Sequence, residues 1–202
     1  LRELTAVTPS PGSWVHATQA MLAVVLPAVV FTAAGAASLG LLASFGALVV
    51  MYLSGRSRRE RAAKLPVIAA SFVLGSLLGI LTGDSLTASL LAIGAVAIAF
   101  SFLSLAFDVG PPGAIFPVLT TGSMGQLTAP ASSGGAAMDP GVVLATIVVG
   151  ILAGYAAVVA PLLVPAVRRR DALAPVDHGW TFTFTPESAR ILARLTVGIL
   201  LA

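Results

Sequence analysis

Residues 85–107 read SLTASLLAIGAVAIAFSFLSLAF, 23 positions without an Asp, Glu, Lys or Arg. Four other charge-free intervals are found along the chain, at 4–55, 65–83, 109–138 and 140–167. A bilayer core about 30 Å thick needs about 20 apolar helical residues for one crossing. The interval 4–55 is long enough for two crossings, and each of the others for one. The pattern therefore predicts six transmembrane segments.

The composition of the whole chain agrees with a membrane environment. Of the 202 residues, 57% are hydrophobic and 9% are charged, and the mean hydropathy is +1.01. A soluble domain carries about 25% charged residues. Lipid offers no hydrogen-bond partner to the backbone, so only helices and closed barrels can span it. Since alternating ten-residue strands are absent, we predict an all-α, polytopic helix bundle in a lipid bilayer. The helices are expected near 17–35, 38–54, 65–82, 86–107, 114–128 and 141–166.

The positions of the basic residues predict the orientation of this bundle. All eleven Lys and Arg residues fall in three groups: Arg2, five residues within 56–64, and five within 168–194. Short loops rich in Lys and Arg remain on the cytoplasmic side. We therefore expect a multi-pass protein of the inner (plasma) membrane with a cytoplasmic N-terminus. The chain must then cross an even number of times between Lys64 and Arg168, so the fifth segment has to cross.

That fifth segment, GPPGAIFPVLTTGSMGQL at 110–127, is unusually rich in proline, glycine and polar residues. Short spans interrupted by Gly or Pro point to the binding site of a transporter, because a broken helix exposes backbone groups at membrane depth. The alternative is a kinked packing helix whose hydroxyls bond their own backbone. The residues predicted to line a substrate path are Pro117, Thr120, Thr121, Ser123 and Gln126.

Glycines repeat every four residues on two of the predicted helices. They are Gly75, Gly79 and Gly83 on the third helix and Gly150 and Gly154 on the sixth. Such spacing lets neighbouring helices approach closely, so we expect these residues to pack helices together. Contact between copies in a homo-oligomer is the alternative.

Two ionisable residues are candidates for gating or proton coupling. Asp84 closes a short turn on the predicted outer side, where it could meet a cation or proton, although a solvated turn residue is the simpler interpretation. His16 lies one turn from Gln19 at the inner end of the first helix, where a histidine can titrate near neutrality. Anchoring at the membrane interface is the alternative for this pair.

The sequence lacks the residue patterns that several classes of function require. The chain has no cysteine, which removes disulfides and thiolate chemistry. No nucleophile elbow, phosphate-binding glycine loop or metal-spaced histidine cluster is present, so we expect neither an enzyme nor a metal or other cofactor. The sequence pI of 10.2 reflects a small excess of arginine among few charges, and we expect no nucleic-acid partner.

The last part of the chain differs from the rest. We divide the sequence into a six-helix transmembrane domain at 1–170 and a cytoplasmic linker with the start of a seventh helix at 171–202. Thr185 as cap, Pro186 in the first turn and Glu187 near the positive helix end predict where that helix begins. The expected partner is the remainder of the same protein or a second six-helix half.

The chain resembles the fusaric acid resistance (FUSC) superfamily, which includes the aromatic acid exporters. The resemblance lies in SWVHATQAMLAVVLPAVV at 13–30, in SLGLLASFGALVVMYLSGRSRRERAAK at 38–64 and in LPVIAASFVLGSLLGILTG at 65–83. It implies a bacterial inner-membrane protein of two six-helix halves, linked to efflux of small organic acids. A large cytoplasmic domain between the halves, often present in that family, is missing here.

Two functional hypotheses follow. The first is a transporter that exports small organic compounds, aromatic or anionic, through a path beside the fifth segment. The second is a non-transporting scaffold or assembly protein of the cell envelope, whose glycine-lined faces would bind partner helices.

Overall fold

The computed structural model describes residues 13–172 and 180–201, and within these ranges it is helical, with no strand. The expectation of an all-α protein is confirmed. Single 3-10 turns, Leu48–Met51 and Ala160–Leu163, continue the second and sixth helices. The helices are α1 Ser13–Ala33, α2 Ala37–Ala47, α3 Arg58–Thr82, α4 Leu86–Ala106, α5 Ile115–Thr128, α6 Pro140–Val159, α7 Pro165–Ala172 and α8 Pro186–Leu201.

Four helices of the described chain are long and apolar enough to cross a membrane, namely α1, α3, α4 and α6 with its 3-10 turn. The predicted count of six crossings is not confirmed by this criterion. α2 and its 3-10 turn form a shorter apolar helix, Ala37–Met51. α5 has only 14 residues, about 21 Å of helix.

α3 begins earlier than the predicted start near residue 65, because the basic segment before it is helical. Ser57 caps the helix, and its hydroxyl accepts a hydrogen bond from the Glu60 amide at 3.3 Å. Ser followed three residues later by Glu is the sequence signature of such a start. The arginine-rich segment therefore forms the first turns of α3 and adds length to the helix.

Proline at position 66 lies inside α3, where it cannot donate to the Ala62 carbonyl. The hydroxyl of Tyr155, on α6, donates to this carbonyl at 3.1 Å. A side chain from a neighbouring helix thus replaces the missing backbone donor. The helix continues through Pro66 as far as Thr82.

Glycines bring two pairs of helices into backbone contact. Gly75 lies opposite Pro117 and Thr121, and Gly83 lies opposite Gly125. The residue numbers rise together, so α3 and α5 run parallel. α2 and α6 also run parallel, since Gly150 meets Ala43 and Gly154 meets Ala47. A Cβ added at Gly79 or Gly150 would overlap a carbonyl oxygen of the facing helix, Thr121 or Ala43.

The basic segments at the start of α3 and in α7 meet at one end of the bundle. The two carboxylate oxygens of Asp171, in α7, accept hydrogen bonds from the backbone amides of Arg58 at 3.1 Å and Arg59 at 3.0 Å. The start of α3 and the end of α7 therefore lie side by side. This agrees with the expectation that the chain crosses an even number of times between Lys64 and Arg168. We call this end of the bundle the basic end. Only Asp84 and Asp139 carry charge in the turns at the opposite end.

Candidate functional site

A cavity of about 930 Å³ lies between α4, α5 and α8. Its volume is within the range of about 300–1,000 Å³ that is typical of sites for small organic molecules. α4 contributes one face of its last three turns, α5 contributes its first turns, and α8 contributes Ser188, Ile191, Leu195 and Ile199. Most of the lining is aliphatic, with a few hydroxyls. The chain between α4 and α5 completes the wall at Gly110–Ala114.

The α4 wall of this cavity is a stripe of small and polar residues at helical spacing. Ala97, Ser101 and Ser104 follow one another on α4 by four and three positions, Asp108 lies just beyond the end of the helix, and all four line the cavity. Ser104 Oγ is buried and has no hydrogen-bond partner, unlike every other buried hydroxyl oxygen in the described chain. Helical hydroxyls elsewhere, such as that of Ser76, donate to a backbone carbonyl one turn earlier. The stripe thus holds an unused hydrogen-bonding group.

The backbone between α4 and α5 turns back into the bundle before α5 starts. Asp108, Gly110 and Gly113 have positive φ angles of 48°, 77° and 64°, which is the geometry that reverses the chain. The Gly113 carbonyl accepts a hydrogen bond from the Tyr52 hydroxyl at 2.6 Å. Irregular backbone in a membrane protein must be satisfied by protein or water, and Tyr52 does this here.

Tyr52 is fully buried, at the junction of several helices. Its ring packs edge-on against Phe72, Phe100 and Phe116, with ring centroids 5.8 Å, 6.1 Å and 6.3 Å away. The start of α5 is therefore held against α3 and α4 by one aromatic residue from the end of α2.

A chain of alternating charges connects the cavity to α3 at the basic end. Asp108 pairs with Arg56 at 3.1 Å, and Arg56 lies 3.5 Å from Glu60. Glu60 also pairs with Lys64 at 2.8 Å, and both of these side chains are buried. The Lys64 ammonium lies 5.3 Å from the centre of the Trp180 ring. Each charge in the network therefore has an opposite charge or an aromatic face beside it.

A second polar group lies at the basic end, next to α1. Arg61 is 1% exposed and donates from Nη2 to the Val50 carbonyl, while its Nε and Nη1 have no partner in the described chain. Gln19 donates to the Ala157 carbonyl at 2.7 Å, and its Oε1 is buried without a partner. His16 Nδ1 is likewise buried and unpartnered there. His16 is partly buried and does not line the cavity.

The structure places three of the predicted path residues between α3 and α5. Pro117 is in the first turn of α5, where a helix tolerates proline best. The hydroxyls of Thr120 and Thr121 both donate to the Pro117 carbonyl, at 2.9 Å and 2.8 Å, and both side chains are fully buried. An added Cβ at Gly75 would lie 2.8 Å from Thr121 Oγ1. These residues pack against α3 and do not line the cavity.

The other predicted site residues lie further along. Ser123 is half-buried on α5, and Gln126 is exposed and donates to the Gly134 carbonyl at 2.7 Å. Asp84 is exposed in the turn at the opposite end. None of these three lines the cavity. Their roles in a path or in gating remain predictions.

Sequence reasoning missed Ser101 and Ser104, which belong to the cavity, and the buried Arg61. The spacing of Ser101, Ser104 and Asp108 is visible in the sequence, but serines are common on helices that face other helices. Periodicity within one helix shows that residues share a face. It does not show whether that face meets a helix, lipid or a cavity, because this depends on where the other helices lie.

Comparisons with known proteins give one distant relative. The chain is 29% identical over 119 residues to the uncharacterized membrane protein YvaC of Bacillus subtilis (strain 168), a match that covers 59% of this chain. The match covers 19% of YvaC, so it spans about a fifth of the relative's length. No protein-family profile matches, so the resemblance to FUSC is not confirmed, and no solved structure matches. The apolar helices and the similarity to YvaC identify the chain as a multi-pass membrane protein.

Proposed function

We propose that this chain is part of a FUSC-type transporter that exports small organic compounds across the inner membrane, and that it is not an enzyme. The observation that carries the proposal is the cavity of about 930 Å³ beside the short helix α5. If α5 served only to pack against its neighbours, a cavity of this size beside it would have no role. Transporters place their binding sites beside interrupted helices at membrane depth, and α5 starts after an irregular segment that lines the cavity.

In the proposed topology the four long helices and the two short ones all cross, which gives six crossings. The 3-10 turn lengthens α2. The irregular segment that ends at Ala114 connects the first turn of α5 to the basic end of the bundle. The basic end would face the cytoplasm under the positive-inside rule, with the N-terminus on the same side. α8 packs along α4 from the basic end, with Thr183 bonded to Ala106 and Ile199 close to Gly94. It would be the start of a seventh crossing.

The predicted path residues take a supporting role in this proposal. Pro117, Thr120 and Thr121 fix α5 against the glycines of α3, and α5 then presents Ile115, Val118 and Leu119 to the cavity. The opposite face of the same helix therefore forms the cavity wall. Ser123 and Gln126 would lie along the route toward the opposite end.

The test compares accumulation and resistance for a panel of aromatic compounds in cells that lack the protein and cells that overproduce it. We expect overproduction to lower accumulation of at least one compound. Ala97→Phe, which fills the cavity from α4, should abolish this effect. Leu81→Phe is the matched control, because Leu81 is 77% exposed on the outer surface of α3. Unchanged accumulation for every compound would count against the transporter.

The scaffold hypothesis loses part of its basis in the structure. It needs glycine faces that are free to bind partner helices, yet the faces at Gly79 and Gly150 are covered by α5 and α2 of the same chain. Contact between copies through the same glycines would require these helices to separate. The cavity therefore favours transport over assembly as the function to test first.

A further inference from the structure

We propose that the cavity between α4, α5 and α8 selects small, mainly apolar, uncharged molecules that carry a hydroxyl or similar hydrogen-bonding group, and that it disfavours organic anions. This inference rests on the proposed function and names the substrate class of the same site. It differs from the expectation of exported organic acids that the FUSC resemblance implies. Three features of the lining carry it.

The first feature is the apolar wall. α5 presents Ile115, Val118 and Leu119, and α8 presents Ile191, Leu195 and Ile199 from the other side. Aliphatic side chains favour the transfer of an apolar ring or chain out of water, by about 25 cal/mol for each Å² of apolar surface. Binding at this site should therefore depend mainly on the apolar body of the ligand.

The second feature is the unused hydroxyl of Ser104. This oxygen is buried in the wall and has no partner, while Ser101, one turn away on α4, lines the same cavity. A buried hydroxyl without a hydrogen bond is unfavourable, because the group has lost its partners in water. Rotation of the Ser104 side chain about χ1 would bring this buried oxygen to the cavity, where a ligand hydroxyl could donate to it or accept from it and offset this cost. A purely apolar ligand could not.

The third feature is the charge of the lining. Asp108 is the one ionisable residue among those that line the cavity, and it is an acid. The cation that contacts Asp108 is Arg56, and Arg56 also lies close to Glu60. Arg190 and Arg194 of α8 are exposed and do not line the cavity. A carboxylate ligand would therefore enter an apolar space with no basic partner, which is unfavourable.

The contrast with Arg61 strengthens this reading. Arg61 has unpaired donors that an anion could use, but it is 1% exposed and bonds the Val50 carbonyl near α1. It lines none of the cavity wall. The buried, unpaired donors of Arg61 and the space for a ligand are thus in different places.

The test measures equilibrium binding of three probes to the purified full chain in lipid nanodiscs. The probes share one ring system: 2-naphthalenemethanol, 2-naphthoate and naphthalene. We expect saturable binding of the alcohol, about tenfold tighter than that of naphthoate and about threefold or more tighter than that of naphthalene, as one net hydrogen bond would give. Empty nanodiscs correct for partition into lipid.

Variants assign the effect to the wall of the cavity. Ser104→Ala should weaken alcohol binding about three- to tenfold and leave naphthalene binding unchanged. Asp108→Asn should reduce the discrimination against naphthoate. Ser89→Ala is the control, because Ser89 lies on the same helix but outside the cavity, and it should change none of the three affinities.

Two results would overturn the inference. Naphthoate binding that equals or exceeds alcohol binding would show that the site accepts anions. Equal binding of naphthalene and the alcohol, insensitive to Ser104→Ala, would indicate an apolar cleft for lipid chains. Transport is a separate readout: the expected binding without export in cells would count against the proposed function alone, whereas export of anions would count against the inference alone.

Discussion

The bundle has a tightly packed side and an open side, and glycine marks the difference. At Gly79 and Gly150, helix backbones touch so closely that a methyl group would overlap a carbonyl of the facing helix. At Gly94, on α4, the nearest atom beyond the helix is a side-chain methyl of Ile199, 3.3 Å from an added Cβ. α3 and α5 are therefore joined backbone to backbone, while α4 and α8 are joined through side chains.

This difference agrees with how helices associate in lipid. Since lipid is as apolar as leucine, helices gain little from burying apolar side chains and are held together by close packing and hydrogen bonds. The hydroxyls of Thr120 and Thr121 on the packed side are satisfied by backbone, whereas that of Ser104 on the open side is not. The open side is thus the part of the molecule that retains space and unused hydrogen bonds.

The largest expected effect is on the packed side. Gly150→Ala and Gly79→Ala should each lower the free energy of unfolding by about 3 kcal/mol, because the added methyl pushes two backbones apart. Unfolding in mixed detergent micelles measures this change. Gly198→Ala, in α8, is the control, since no atom lies within 4 Å of its added Cβ. A loss at Gly198 as large as that at Gly150 would refute the packing explanation.

A comparable loss is expected for the buried charges at the basic end. Glu60→Gln should destabilise the protein by about 3 kcal/mol, because it leaves the buried Lys64 without its carboxylate. Asp108→Asn, at the exposed end of the same network, should cost under about 1 kcal/mol. Adding Lys64→Met to Glu60→Gln should restore much of the stability. Equal losses for Glu60→Gln and Asp108→Asn would contradict this assignment.

A smaller effect is expected where Tyr155 replaces a backbone donor. Tyr155→Phe should cost about 1–2 kcal/mol, since the Ala62 carbonyl loses its partner. In a Pro66→Ala background the amide at 66 can donate to Ala62, so the same change should be nearly neutral. A double-mutant cycle on unfolding free energies measures the coupling. Additive effects of the two substitutions would show that the Tyr155 hydroxyl does not act on this carbonyl.

The smallest effect is expected on the open side. Gly94→Ala should change stability by less than about 1 kcal/mol, and the sign should be stabilising if the Ile199 side chain shifts, because alanine is the better helix former. The measurement is the same micelle unfolding assay used for Gly79→Ala. A large loss at Gly94 would mean that α4 and α8 are packed as closely as α3 and α5.

Much of the architecture was predictable because hydrogen bonding in lipid leaves few alternatives. The charge-free intervals gave the helices, and the start of α5 at Ile115 lies within one residue of the predicted position. The start of α3 was misplaced because charge was read as a loop signal, although Ser57 and Glu60 form a capping pair. The candidate site was less predictable: polar residues in a broken helix suggested a path, and the structure places Thr120 and Thr121 in a packed interface instead.

The sequence by itself determined that this protein is a bundle of apolar helices, that the basic segments around 56–64 and 168–170 lie at the same end, and which positions are small enough for close packing. These properties depend on composition and on spacing along one helix. Only the tertiary structure decided which face of α4 meets a cavity, that Tyr52 and Tyr155 reach carbonyls on other elements, and that Arg61 is buried away from the space a ligand could fill. The reason is physical: in a membrane bundle apolar residues cover every face, so hydrophobicity does not indicate which helix each face will meet.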